Sequence, residues 1–274
     1  MAGIQFKNSP LVELIAELRW GVADMLPSPA GEQSFGAPPQ VVMTVTQHED
    51  FFMKFGGAIY GHGFQDVERL VPPNFPYIVG QPARRFRKSS DAANPVLYQV
   101  GPGIFTANAT APYKNWDEFA PVVAEGVAAL LKTRAPAEAD SPFVAASVRY
   151  IDAFGVDFIG EDEIGQFIAE KFGIKIELPA ALTSVIDAVK QPKPFLQLQI
   201  PISGGLVMSV GVGEGVVQGQ RSVVLDTTVV TVNPTAADLE SVMQQLHAAR
   251  GAIHKMFISL TDKLREKMQP VIGD

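Results

Sequence analysis

The chain has 274 residues, with 22 basic against 29 acidic side chains, 4 His and no Cys. Its 47% apolar and 19% charged content is that of a packed globule, which excludes wholesale disorder, and its length fits one large domain or two small ones. The missing cysteines remove thiolate catalysis, disulfides, iron–sulfur clusters and cysteine-based zinc sites, and a net charge of −7, divided as −1 over residues 1–137 and −6 over 138–274, opposes general binding to nucleic-acid phosphates.

The first ten residues lack the apolar stretch of a signal peptide. No apolar run approaches the ~18 residues of a spanning helix, so a cytoplasmic protein without membrane contact is expected. Residues 10–21 read as a strand, and 41–46, rich in Val and Thr, as a second one. Glu49 and Asp50 then open a helix over 51–60, acidic side chains suiting the positive end of the helix dipole. Strands follow at 84–88, 96–100 and 104–109, with a turn at 101–103. A helix over 115–133 takes Asn115 as its N-cap.

Beyond an Ala, Pro, Glu and Asp-rich link at 133–142, the pattern repeats. A strand at 143–155 precedes Glu161, Asp162 and Glu163, which open a helix over 164–173, and a short extra helix falls at 180–189. Strands are expected at 195–202, 206–212 and 216–232, with turns at 203–205 and 213–215; the last is too long for one strand and splits near Gly219 and Gln220. A closing helix over 235–268 takes Thr235 as N-cap. Laying Arg19 on Arg149 aligns the two opening strands at an offset of 130.

The expected fold is therefore α+β, an internal pseudo-duplication of strand, helix, antiparallel strands and long helix. Its halves are 1–135 and 143–274, packed intimately enough to form one domain, with two sheets fused and helices on one face. The topology resembles TATA-binding-like or helix-grip saddles. The closing helix would span roughly 48 Å at 1.5 Å per residue, more than a small sheet can cover. Either Gly251 breaks it or its end packs on something else, with His254, Phe257, Leu260 and Leu264 forming a dimer or partner interface; the competing reading drapes it over both halves.

No phosphate-loop lysine, nucleophile elbow or His-Glu-x-x-His pair occurs. The glycine clusters at 56–63 and 211–215 read as turns and tight packing. His247 and His254 lie seven apart, about 10 Å of helical rise, too far to chelate one ion, so neither a metal nor a cofactor is expected. Period two is more informative. Glu13, Glu17 and Arg19 share one face of their strand, Ser147 and Arg149 one face of theirs, and Gln197 with Gln199, Arg85 with Arg87, and Asp226 with Thr228 alternate likewise. A polar sheet face that binds a ligand or protein segment, centred on Glu13, Glu17, Arg19, Arg149 and Asp226, competes with a set of weak cross-strand ion pairs on a wetted sheet. Arg84, Arg85, Arg87 and Lys88 form the one basic cluster; a site that meets phosphate or an acidic partner competes with the favoured reading, a charged edge strand that deters sheet-to-sheet pairing.

The segments Phe6-KNSPLVELIAELRW, Tyr113-KNWDEF, Val148-RYIDAF, Leu225-Asp226 and Phe257-ISLTDKL, in this order, resemble a sporadically distributed family of uncharacterised bacterial proteins. Where that family commonly has Asn, the chain has Asp152, followed by Ala153. The resemblance runs nearly end to end and implies no assigned activity. Three functions are expected from the residues. The first is a non-enzymatic binding or scaffolding protein recognising a protein partner or its own copy. The second is a small-molecule module with a cavity between sheet and helices. The third is an enzyme using Glu13 or Glu17 beside Arg149.

Overall fold

The computed structural model describes residues 5–21, 41–42, 45–88, 95–111, 115–186 and 192–271. In chain order the first half holds β1 (Gln5–Phe6), β2 (Leu11–Arg19), β3 (Val41–Val42), α1 (Val45–Tyr60), β4 (Asp66–Arg69), β5 (Tyr77–Ile78), β6 (Arg84–Arg87), β7 (Val96–Gly101), β8 (Ile104–Thr110) and α2 (Trp116–Thr133). The second holds β9 (Ala145–Phe154), α3 (Val156–Ile159), α4 (Ile164–Lys171), α5 (Ala180–Thr183), β10 (Phe195–Ile202), β11 (Leu206–Val217), β12 (Gln220–Thr231), α6 (Leu239–Leu260), α7 (Arg265–Met268) and β13 (Pro270–Val271).

Nine strands form one antiparallel open sheet in the order β10-β11-β12-β9-β2-β8-β7-β6-β4. The two opening strands lie side by side at its centre, Ala16 opposite Val148 and Leu18 opposite Ala146. On each side the last strand of the meander returns to its opening strand, β8 to β2 and β12 to β9. Strict alternation sets the two faces, since successive side chains of a strand point to opposite sides. Leu14, Ala16, Leu18, Val148, Leu225 and Val229 are fully buried on one face, against α1, α2, α3 and α6. The other face carries no helix among the described residues.

The core is aromatic in the first half. Phe55 meets Phe86, Tyr98 and Phe105 at centroid distances of 5.4, 6.1 and 5.9 Å, and Tyr98 stacks on Phe64 at 4.2 Å. Gly126 of α2 allows this closeness, because a Cβ there would lie 2.7 Å from Tyr98 and 2.8 Å from Phe105. In the second half Phe154 gathers Phe158, Phe167 and Phe172. At the end of β2, Trp20 packs edge-on against Phe51 and Phe143 and donates its indole N–H to Glu138 at 2.7 Å. The Arg134 guanidinium sits against the Trp20 and Phe143 rings, 5.3 and 4.7 Å from their centroids.

Several expectations shift. The run at 41–46 is a two-residue strand, Val41–Val42, followed by the start of α1 at Val45, and residues 43–44 lie outside the described residues. The charged strand β4 and the short β5 lacked the apolar alternation that marks a strand. β6 is therefore not the edge strand expected of the basic cluster; it pairs with β4, and Arg85 bridges to Glu68 at 2.9 Å. Gly213 and Gly215 are not a turn but lie inside the twelve-residue β11, where a Cβ would come within 2.9 Å of the Phe195 ring and 2.7 Å of Val224. The hairpin instead turns at Gln218 and Gly219, both at positive φ, so the long run splits where expected. The last residues of the helix expected at 180–189 lie outside the described residues.

The caps show the difference between local and tertiary information. Asn115 accepts from Glu118 N at 2.9 Å, as its position before an apolar-periodic run requires. Replacing it with Ala should lower stability by about 1 kcal/mol, read in a urea titration as a lower midpoint at unchanged slope. Thr235, by contrast, bridges to Phe143, and Asp238 caps α6 by accepting from Ser241 N at 2.8 Å.

The closing helix breaks at Thr261, whose hydroxyl turns back to Phe257 O at 2.7 Å, and not at Gly251. A 3-10 turn, Asp262–Leu264, and α7 then fold the tail onto the body, and β13 pairs with β1. Of the four residues expected to form an interface at its end, only Leu264 is withdrawn from the surface. Leu264 is buried in the chain's own core, Phe257 packs edge-on to Phe6 at 6.3 Å, and Leu260 leans on the same core. His254 is half-buried, its pKa lowered by burial and by Arg250.

Candidate functional site

All five residues expected at the polar face sit on the helix-free side of the sheet, since each alternates with a core residue of its strand. They form three linked groups. Thr106 donates to Asn108 at 2.7 Å, and Asn108 donates to Glu13 at 2.8 Å. Arg19 donates to Glu17 at 2.6 Å along the same strand. Arg149 grips Asp226 with both ends of its fork, Nε to Oδ1 at 2.8 Å and Nη2 to Oδ2 at 2.5 Å. This bidentate pairing crosses from β9 to β12, strands held side by side by their ladder.

The field around Arg149 is negative. Its hydrogen bonds to Asp226 raise its pKa against the opposing effect of burial, and Glu13 and Glu17 add to the rise. Three carboxylates against two guanidiniums leave the cluster one negative charge in excess. The pair is also accessible, with 44% of the Arg149 side chain and 33% of the Asp226 side chain open to solvent. Both can exchange their mutual contact for a ligand or partner.

Beside this pair lies a shallow trough of about 430 Å³, running from Arg149, Asp226 and Thr228 across β11 to Gln197 and Phe195 of β10. Its floor includes Gly211 and Gly213, opposite Asp226 and Val224 in register; Gly211 has no side chain to fill it, and the Phe195 ring leans over Gly213. Hydroxyl groups of Ser209 and Thr228, the Gln197 amide and the Phe195 ring line a surface with both hydrogen-bonding and apolar character. The small-molecule reading placed a cavity between sheet and helices; this concavity is on the opposite face.

Sequence reasoning missed Thr106 and Asn108, buried beneath the charged side chains of the face, and the glycine floor. The signal for the floor was the period-two spacing of Gly211, Gly213 and Gly215, legible only once the segment is known to be a strand.

The histidines do not converge. His247 accepts from the Trp116 indole at 2.9 Å on the helix side, His62 lies 3.4 Å from Glu125, and no cluster of three or more His, Asp or Glu able to hold a metal occurs among the described residues. No described helix is long and apolar enough to cross a membrane. A second polar group, Glu49 with Arg84 at 2.7 Å and the Tyr77 hydroxyl, ties α1 to β5 and β6. No family model, curated protein or solved structure matches the chain.

Proposed function

We propose that the protein is a non-enzymatic binding or scaffolding module that receives a protein partner on the helix-free face of its sheet. The observation that carries this reading is the placement of Arg149 and Asp226. They form an accessible, bidentate pair beside a glycine-floored trough, on a face that no described helix covers. A sheet whose only role was to support a helix layer would have no need of a hollowed face. On the tail of the closing helix, the rival surface, Leu264 is buried in the chain's own core and Phe257 packs on Phe6.

The module reads as two copies of one ancestral unit. With Arg19 laid on Arg149, the twofold axis falls between Glu17 and Ser147, which are direct partners in the central ladder. Trp20 and Tyr150 then share the helix-side layer while both arginines point to the free face. An antiparallel sheet with a single helix layer supports the saddle reading, TATA-binding-like or helix-grip.

Affinity capture from the native cell, read by mass spectrometry, tests the binding reading. Arg149→Ala should reduce recovery of the captured protein at least tenfold, while the melting temperature moves by only a few degrees, since a half-exposed ion pair contributes about 0–1 kcal/mol. Equal capture by both proteins would dismiss the face as the binding surface. A small ligand in the trough is the second reading, favoured by its volume, which lies within the usual range of ligand sites.

A further inference from the structure

The trough on the free face is lined by side chains whose hydrogen-bonding capacity is unspent. Gln197, Gly211 and Asp226 lie in one row across β10, β11 and β12. Phe195, Gly213 and Val224 form the row on one side of it, and Ser209 and Thr228 belong to the row on the other. At strand and residue spacings this bed measures roughly 10 Å by 13 Å. The Gln197 amide and the Ser209 and Thr228 hydroxyls hydrogen-bond to no other residue among the described ones. Arg149 and Asp226 exchange two bonds with each other, which leaves the guanidinium with further N–H groups and the carboxylate with further lone pairs.

We propose that the trough binds a neutral, polyhydroxylated six-membered ring, a saccharide of about one hexose. This rests on the second reading above, a ligand in the trough. The charges bordering the trough already have their counter-charges, Arg149 with Asp226, and Glu214 with Lys193 at 2.6 Å and Arg221 at 3.0 Å. An added anion would face Glu13 and Glu17, whose charges already act on Arg149, and an added cation would have to displace Arg149 from Asp226. Hydroxyl groups need neither change. Each one both donates and accepts, so a vicinal pair can bond the unspent sides of the guanidinium and the carboxylate while the ion pair stays closed.

A sugar ring also has apolar C–H faces. Phe195 is 79% exposed, stands at one end of the trough and leans over Gly213, where it offers an aromatic surface for such a face. A phosphate or a small carboxylate would leave that ring unused. Gly211 supplies the open bed. The nearest atoms to a Cβ there belong to Asp226 and are 3.7 Å away, an ordinary contact, so a side chain placed at 211 would stand in the trough without displacing the sheet. The trough is shallow, at about 430 Å³, and a single sugar ring in it should dissociate with a constant on the order of 1 mM.

Backbone amide spectra of the full-length protein, titrated with glucose, galactose, mannose and myo-inositol to about 50 mM, test the proposal. At least one of these probes should give saturable shifts at Ser209, Gly211, Gly213 and Thr228. Gly211→Leu, which fills the bed, should weaken that binding at least tenfold, and Phe195→Ala should weaken it about three- to tenfold. Signals away from the trough should stay where they are in both variants. Should Gly211→Leu not fold, Phe195→Ala decides, because its ring is exposed and supports no core. Failure of all four probes to saturate overturns the proposal, as do saturable shifts confined to another surface or equal affinity in the folded variants. Saturation of the same amides by N-acetyl-argininamide or succinate, and by none of the four, overturns it too. None of these outcomes bears on the partner-binding reading, which capture from the cell decides.

Discussion

Asp152→Asn should raise the thermal stability of this protein at pH 8 by roughly 10 °C and leave it nearly unchanged at pH 4. Asp152 lies on the helix-facing side of β9, between Tyr150 and Phe154, and is 3% exposed. Burial, with the charge of Asp226 on the opposite face as a smaller contribution, raises its carboxyl from the ordinary 3.8 to about 8. A carboxyl with a raised pKa holds its proton in the folded state after the unfolded chain has released it. Its stabilising contribution is therefore complete below pH 3.8, erodes as pH rises, and is gone above about 8.

That window corresponds to a loss on the order of 4 kcal/mol by neutral pH. The neutral amide of Asn has nearly the same shape and no proton to release, so the variant escapes the loss. At about 2–4 °C per kcal/mol, the difference between variant and wild type should grow steadily across the interval. Melts of both proteins at matched ionic strength from pH 4 to pH 8 measure it, and the comparison cancels titrations common to both. A constant difference would show that the carboxyl is already ionised in the folded chain.

Two glycines should respond to alanine in opposite directions. Gly101 ends β7 at the turn into β8, and a Cβ there would lie 1.9 Å from the Gln81 carbonyl oxygen and 2.8 Å from its carbon. The obstacle is backbone. The neighbouring segment is held by Ala83 N donating to Val100 O at 2.7 Å and by Gly80 N donating to Pro102 O at 2.7 Å. It can yield only by giving up such bonds, so Gly101→Ala should lose about 3 kcal/mol or more, with reduced soluble yield. Gly251 lies exposed inside α6 with nothing within 4 Å of a Cβ. Gly251→Ala should gain about 1 kcal/mol by restricting the unfolded chain and favouring helix. Urea titrations of the two variants read both changes, and a stabilised Gly101→Ala would mean that the loop at 78–83 does not seat on the hairpin.

The order of strands and helices was legible because period-two and helical spacing act over a few residues. The opening strands, β7, β8, β10, α2 and the Asn115 cap were all visible in this way. So was the face that each polar residue of β2 and β9 would take, because a strand whose alternate residues are apolar has one orientation that buries them.

Which strands become neighbours is a different kind of fact. Arg149 and Asp226 are 77 positions apart, and nothing local pairs them; the β9–β12 ladder does. The glycine row of β11 has the same signature as a turn until its partners, Phe195 and Val224, occupy the space above it. Thr235 and Asp238 are both acceptable caps by residue type, and the bridge from Thr235 to Phe143 decides between them. The sequence alone thus determined the elements and the two-faced character of the strands, through short-range sterics and the burial of apolar side chains. Only the tertiary structure decided the sheet order, the trough and the buried Asp152, because each depends on contacts between segments that are distant along the chain.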